Sequence, residues 1–166
     1  MAERIYCADT SAFAWLSRNI DRTVLADIWD AVEELIRTGR MFAPVQVRDE
    51  IDRGWDELPT WCRQFPTLFR HVTEEVANIV GELGTAHQGF IRPLQDREEA
   101  DPWVVAWAKL ENGRLSEELF GGECVVVSSE GTHVNHIAQV CRKEKINCAT
   151  LQGVFGLEGW TFRRER

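Results

Sequence analysis

The sequence predicts an α/β fold, a three-layer α/β/α sandwich with a mostly parallel central sheet. Three observations carry that expectation. Short apolar runs at Arg4–Ala8, Met41–Ala43, Glu123–Val127 and Ile146–Thr150 alternate with segments whose apolar residues recur at helical spacing, the pattern that places helices on both faces of a parallel sheet. The run Cys124–Val127 is apolar without alternation and rich in β-branched residues, as a strand buried on both faces must be. Finally, 166 residues of which 44% are hydrophobic, with seven Trp and eight Phe, can bury a sizeable core.

The first strand, Arg4–Ala8, gives way to Asp9-Thr10-Ser11, residues that suit a strand end and a helix N-cap, and Ser11–Asn19 reads as helix. Over Arg22–Arg37, Val24, Leu25, Ile28, Trp29, Val32, Leu35 and Ile36 repeat at helical spacing, with Gly39 where a C-cap residue is expected. Met41–Ala43 is a brief strand stopped by Pro44, and Val45–Arg53 a short helix ended by Gly54. Two prolines, Pro59 and Pro66, predict short helical pieces wrapped on the surface over Trp55–Arg70. Val72–Leu83 reads as helix and Gly84–Asp96 as loop. Asp101-Pro102 predicts a helix start with Asp as N-cap and Pro at the first helical position. After Gly121-Gly122 and the buried strand, Thr132–Lys145 is helical, Ile146–Thr150 is a last strand, and a short helix or loop leads to the basic tail Arg163–Arg166. With no repeat, low-complexity tract or linker, one domain over residues 1–166 is expected.

The charges narrow the function. With 27 acidic and 19 basic residues the net charge is −8, which argues against a protein that grips nucleic acid through a broad positive surface. Five scattered cysteines and no apolar run of membrane-spanning length lead us to expect a reduced, cytoplasmic protein, and Met1-Ala-Glu-Arg opens no signal segment.

Ligands of open α/β sheets bind beyond the carboxyl ends of the strands. Asp9 follows the first strand, Glu50 lies in the helix after the second, Asp101 stands at the start of the helix before the third, and Glu130 follows the third after Ser128-Ser129. Four acids could thus converge, and because gathered carboxylates repel one another, such a cluster makes chemical sense around a divalent cation. Hard oxygen ligands suit Mg²⁺ or Mn²⁺, and such ions serve phosphodiester hydrolysis.

These residues resemble the PIN-domain family, the metal-dependent nuclease fold of VapC-type toxins. The resemblance runs through Ile5-Tyr6-Cys7-Ala8-Asp9-Thr10-Ser11, Pro44-Val45-Gln46-Val47-Arg48-Asp49-Glu50-Ile51, Asp101-Pro102-Trp103-Val104-Val105-Ala106-Trp107-Ala108 and Val125-Val126-Val127-Ser128-Ser129-Glu130, in the family's order. Lys145-Ile146-Asn147-Cys148 through Gly159-Trp160 is similar to the C-terminal strand region of a PIN subfamily of uncharacterised, toxin-like proteins. The resemblance implies Asp9, Glu50, Asp101 and Glu130 as catalytic, metal-binding acids, with Ser11 and Ser128 orienting them by hydrogen bonds. Glu130 stands where the wider family more commonly has Asp, and Trp55–Arg97 is longer than in its compact members.

The implied activity is Mg²⁺- or Mn²⁺-dependent endoribonuclease cleavage of RNA, water attacking phosphorus in line to leave a 5′-phosphate and a 3′-hydroxyl. The resemblance further implies the toxin of a type II toxin–antitoxin pair, with a cognate antitoxin covering the acidic pocket. It also implies homodimerisation, for which apolar residues around Phe13 and Trp15 are the candidate surface.

Each residue also has a plainer reading. Asp9 and Asp101 serve as helix N-caps, Glu50 as a solvated helix charge among Arg48, Asp49 and Asp52, and Glu130 as part of a polar turn. His133, His136, Cys141 and Cys148 match no zinc-binding spacing and read as structural or surface residues, and the other cysteines read as buried apolar residues. Trp15, Trp29, Trp103 and Trp107 fall on apolar helix faces, whereas Trp55, Trp61 and Trp160 are the better candidates for contact with a partner. Arg163–Arg166 and the group Arg142, Lys143 and Lys145 are the local basic patches available to RNA. Two other functions compete: a non-enzymatic PIN-fold module binding a basic protein, and a haloacid-dehalogenase-type phosphatase, which is disfavoured because Ser11 stands where that type has a second Asp.

Overall fold

The computed structural model describes residues 3–55, 57–92, 99–129 and 136–162. Glu130, His133, the helical expectation over 132–135, the loop expectation over 93–96 and the tail Arg163–Arg166 lie outside the described residues, as does the side chain of His136.

Five strands form one sheet: β1 (Glu3–Ala8), β2 (Met41–Pro44), β3 (Phe69–Arg70), β4 (Gly122–Val127) and β5 (Cys148–Ala149), in the order β3-β2-β1-β4-β5. All the described pairings are parallel. Between them lie α1 (Thr10–Asn19), α2 (Ala26–Arg37), α3 (Val45–Gly54), α4 (Leu58–Cys62), α5 (Glu74–Ala86), α6 (Asp101–Ser116), α7 (His136–Glu144) and, after β5, α8 (Leu151–Leu157). α1 packs against α3, α4 and α8, while α6 packs against β1, β4, α5 and α7. The architecture is the expected three-layer α/β/α sandwich, with a sheet that is parallel throughout its described strands.

β1 is the central strand because its sequence tolerates burial on both flanks. Cys7 pairs with Phe42 of β2 and with Val126 of β4, and Tyr6, Cys7 and Ala8 have no exposure. The first half of α6 is buried all round, from Pro102 to Ala108, as befits a helix held between a sheet and two other helices. On the opposite face Phe13, Trp29, Trp61 and Phe65 form an aromatic cluster, with ring centroids 5.2 Å apart for Trp29–Trp61 and 5.3 Å for Trp61–Phe65. Glu33, only 3% exposed, sits beneath that cluster. It accepts from Trp61 Nε1 at 2.8 Å, Arg22 at 2.7 Å and Arg37 at 2.8 Å, which satisfies a buried carboxylate.

The structure corrects several sequence expectations. Helix α2 starts at Ala26 rather than Arg22, because the Asp21 carboxylate accepts from the Thr23 amide at 2.8 Å and its hydroxyl at 2.7 Å and holds that segment in a turn. The segment Trp55–Arg70 is not a surface wrapping: Leu58, Trp61, Cys62, Phe65 and Leu68 are buried, and Phe69–Arg70 adds the edge strand β3. Trp61 is therefore a core residue, its indole N–H satisfied by Glu33, and not a contact for a partner. Phe13, expected on a dimer surface, is buried against Trp61 and cannot be part of one; Trp15 is half-buried against the core. Helix α5 runs on through Gly84 to Ala86, where a loop was expected. The N-cap position of α6 falls on Ala100, and Asp101 is the first helical residue.

Candidate functional site

Where two neighbouring parallel strands send their connections in opposite directions, their carboxyl ends leave a crevice. Here those strands are β1 and β4: the chain leaves β1 towards β2 and β4 towards β5. Asp9 and Ser128 stand at the two strand ends that flank this point.

Asp9 is 2% exposed. Its amide donates to the Val127 carbonyl at 2.8 Å, continuing the β1–β4 ladder one residue past the strand. Its side chain caps α1, Oδ2 accepting from the Ser11 hydroxyl at 2.8 Å and the Ser11 amide at 3.4 Å. The Ser128 hydroxyl reaches the same oxygen at 3.4 Å and lies 3.2 Å from the Ser11 hydroxyl, which in turn accepts from the Ser129 amide at 2.9 Å. Ser11 and Ser128 thus both hydrogen-bond to the Asp9 carboxylate. The capping role and the placement in a crevice are both true of Asp9.

Glu50 reaches across from α3. Its Oε2 accepts from the Thr10 hydroxyl and its Oε1 from the Ala100 amide at 3.0 Å. Ala100 is completely buried, so Glu50 supplies a partner to an amide at the start of α6 that no local side chain caps. The Trp103 and Val104 amides, which a capping Asp101 would serve, bond to the Ala100 carbonyl, each at 3.0 Å. Standing in the first helical turn, Asp101 instead gains from the positive end of the helix dipole.

Asp9, Glu50 and Asp101 line one cleft of about 510 Å³ together with Thr10, Ser11 and Ala14. Its remaining wall is Arg18, Trp55, Gly89, Phe90, Arg92 and Glu99. Among the described residues of its wall four carboxylates face two guanidiniums, an excess of negative charge (2 − 4 = −2). Arg18 stacks over the Trp55 ring at 5.6 Å, and Arg92 lies 3.8 Å from Glu99. Trp55 was visible in the sequence as a contact candidate. Arg18, Phe90, Arg92 and Glu99 were not, because they come from the end of α1 and from segments flanking 93–98, with no spacing that links them to Asp9.

Three of the four expected acids are thereby brought to one cleft; the fourth, Glu130, lies outside the described residues. Among the described residues no three His, Cys, Asp or Glu side chains are close enough together to form a metal-ligand group. The Glu50 carboxylate in particular has both oxygens engaged by Thr10 and Ala100. The described donors that line the cleft are nonetheless hard oxygens, the class that suits Mg²⁺ or Mn²⁺, with no Cys or His among the described residues of its wall. A second cleft, of about 580 Å³, opens beyond Arg18 between the end of α1 and α4. It is the larger of the two, but it lies away from the strand ends, and among the described residues Asp21 and Glu57 are the acids on its wall.

Among the described residues no helix is long and apolar enough to cross a membrane. No curated protein matches the chain. A family model described as "Domain of unknown function (DUF4411)" matches residues 6–162, from the second half of β1 to beyond α8. The match spans both Asp9 and the whole of the cleft wall, and the chain belongs to the DUF4411 family.

Proposed function

We propose that this protein is a Mg²⁺- or Mn²⁺-dependent endoribonuclease of PIN type, the toxin of a type II toxin–antitoxin pair acting in the cytoplasm. The observation that carries the reading is the placement of Asp9, Glu50 and Asp101 in one cleft at the switch point of the sheet. The residues divide the work. Asp9, oriented by Ser11 and Ser128, and Asp101, on the first turn of α6, would hold the metal, with Glu130 joining them as the PIN resemblance implies. Glu50 fixes the start of α6 and hence the position of Asp101. Bound there, the ion would neutralise a phosphate oxygen and lower the pKa of a water. Arg18 and Arg92 are the guanidiniums placed to fork a phosphate, and the Trp55 and Phe90 rings offer apolar surface to a base. Because the protein's net charge is −8, substrate attraction depends on the bound metal and on these two arginines, so binding is weak without metal.

The test is cleavage of single-stranded and structured RNA with and without Mn²⁺, with 5′-phosphate ends on the products. Asp9→Asn keeps an oxygen to cap α1, so it should leave thermal unfolding unchanged and abolish cleavage. Cleavage retained in that variant would refute the assignment.

One observation favours a second reading. Glu50 is engaged on both oxygens and no three-ligand group forms among the described residues. A module that uses the acidic cleft to bind a basic protein, with no chemistry, would look the same. Calorimetry with Mn²⁺ separates the two: micromolar binding lost in Asp9→Asn supports the nuclease, and absence of binding supports the module.

A further inference from the structure

Arg18 belongs to two clefts at once. It stands on the wall of the acidic cleft and on that of the second cleft, of about 580 Å³, between the end of α1 and α4. Its guanidinium lies 5.6 Å from the centre of the Trp55 ring and, among the described residues, pairs with no carboxylate. The neighbouring arginines differ, since Arg22 is held by Glu33 at 2.7 Å and Arg92 lies 3.8 Å from Glu99. A guanidinium kept over a ring with its fork of donors uncommitted is suited to an anion of matching geometry, and a phosphate is such an anion.

The second cleft suits what is joined to that phosphate. Its floor is the outer edge of the core, where Leu58 and Trp29 are buried and the Trp29 N–H is already given to the Ile20 carbonyl at 2.9 Å, so the floor offers apolar area. On the wall stand Thr60 and Gln64, both exposed, whose side chains make no hydrogen bond among the described residues. They present a hydroxyl and an amide, donors and acceptors that match the edge of an unpaired base. The charges agree. Among the described residues of the wall Arg18 and Arg22 balance Asp21 and Glu57 (2 − 2 = 0), so a phosphodiester meets less repulsion here than in the acidic cleft. A basic peptide would meet the same two guanidiniums as like charges.

We propose that the second cleft is a nucleotide subsite. A single strand of RNA passes from the acidic cleft over Arg18, which clamps the intervening phosphate, and sets its next base against Thr60 and Gln64. The choice of RNA as occupant rests on the nuclease reading. The subsite narrows the substrate to unpaired segments, because a base can enter the cleft only when it is out of a helical stack. It also divides the labour of binding: the acidic cleft requires the metal, whereas the second cleft holds its nucleotide without one.

The experiment titrates the full-length protein into a fluorescently labelled single-stranded RNA hexanucleotide in EDTA, where metal-dependent cleavage is absent, and reads anisotropy. The wild type should bind saturably. Arg18→Ala should weaken binding about tenfold or more, and the double variant Thr60→Ala, Gln64→Ala about fivefold or more, both with unchanged melting temperature. A blunt duplex of the same sequence should bind more weakly than the single strand, and tripolyphosphate, which has the charge but no base, should compete more weakly than unlabelled hexanucleotide. No binding in EDTA, an undiminished affinity in the folded double variant, equal affinity for the duplex, or equal competition by tripolyphosphate would each overturn the subsite. Cleavage with Mn²⁺ in the same preparation keeps the two readings apart. If RNA is cut but the double variant binds as wild type does, the subsite fails and the nuclease stands; if binding depends on Arg18, Thr60 and Gln64 but nothing is cut, the nuclease fails and the nucleotide subsite stands.

Discussion

Replacing Glu50 tests the division of labour in the cleft, because the side chain makes two separable contacts. In Glu50→Ala the Ala100 amide, wholly buried, loses the acceptor it meets at 3.0 Å. An orphaned buried amide costs about 1–3 kcal/mol, and the Thr10 hydroxyl, 7% exposed, loses a charged acceptor worth about 1 kcal/mol more. The sum is a loss of about 2–4 kcal/mol. Glu50→Gln is different. The amide oxygen can still accept from Ala100 and the amide nitrogen can donate to the Thr10 hydroxyl, so the loss should stay near 1 kcal/mol, at about the net worth of a charge-assisted bond replaced by a neutral one. Equilibrium urea unfolding measures both variants. If Glu50 acts by anchoring α6, the Gln variant also keeps the Mn²⁺-induced rise in melting temperature. Glu50→Ala unfolding within about 0.5 kcal/mol of wild type, inside the range of ordinary surface substitutions, would refute the anchoring argument. Loss of the Mn²⁺ effect in a well-folded Gln variant would return Glu50 to the metal ligands.

Three other outcomes follow from the geometry. Glu33→Ala orphans the buried Trp61 indole N–H, while Arg22 and Arg37 remain about half exposed and turn to water, so urea unfolding should show a loss of about 2–3 kcal/mol; Glu33→Gln, which keeps the indole bond, should lose less. Gly122→Ala would set a Cβ 2.8 Å from the Glu3 carbonyl and 3.2 Å from Leu115, forcing β4 away from β1, and calorimetry should register overpacking of about 1–3 kcal/mol. Lys109, then His87, hold the Glu144 carboxyl below its ordinary value of 4.5 against the opposing effect of burial. A depressed folded value means that the contribution is complete above 4.5 and is lost as pH falls through the lower folded value; Glu144→Gln should therefore flatten the acid limb of the stability curve, read by unfolding at stepped pH.

What could be read from the chain, and what could not, divides along the range of the interactions. Asp9 was legible because everything that defines it is local: an apolar strand before it, a helix after it, and the rule that ligands sit at strand ends. The parallel sheet was legible in Val125–Val127, an apolar run that only two-sided burial explains. Strand β3 was not, since Phe69 and Arg70 alone carry it and its pairing depends on Ala43 and Pro44 far away in sequence. Asp101 read as an N-cap because local chemistry favours that; the Trp103 and Val104 amides that such a cap would serve bond to the Ala100 carbonyl, whose residue is anchored through its own amide by Glu50, fifty positions earlier. Trp61 read as exposed because two prolines surround it, yet a carboxylate on α2 makes burial of its N–H affordable. The cleft's arginines and Phe90 could not be foreseen, since nothing along the chain ties Arg18 to Arg92.

The position of β1 in the middle of the sheet also bears on how the protein is made. Synthesis delivers β1 first and β2 soon after, but the ladder from Glu3↔Gly122 to Ala8↔Val127 requires a strand from the far end of the chain. Until the ribosome has released residue 127, one flank of an apolar strand offers unpaired amides and carbonyls to any neighbouring strand, the usual invitation to aggregate. Over the same interval Asp9 lacks Ser128. A nascent chain thus presents an unpaired strand edge while its candidate site is incomplete, and Asp9 gains its Ser128 partner only after β4 has been made.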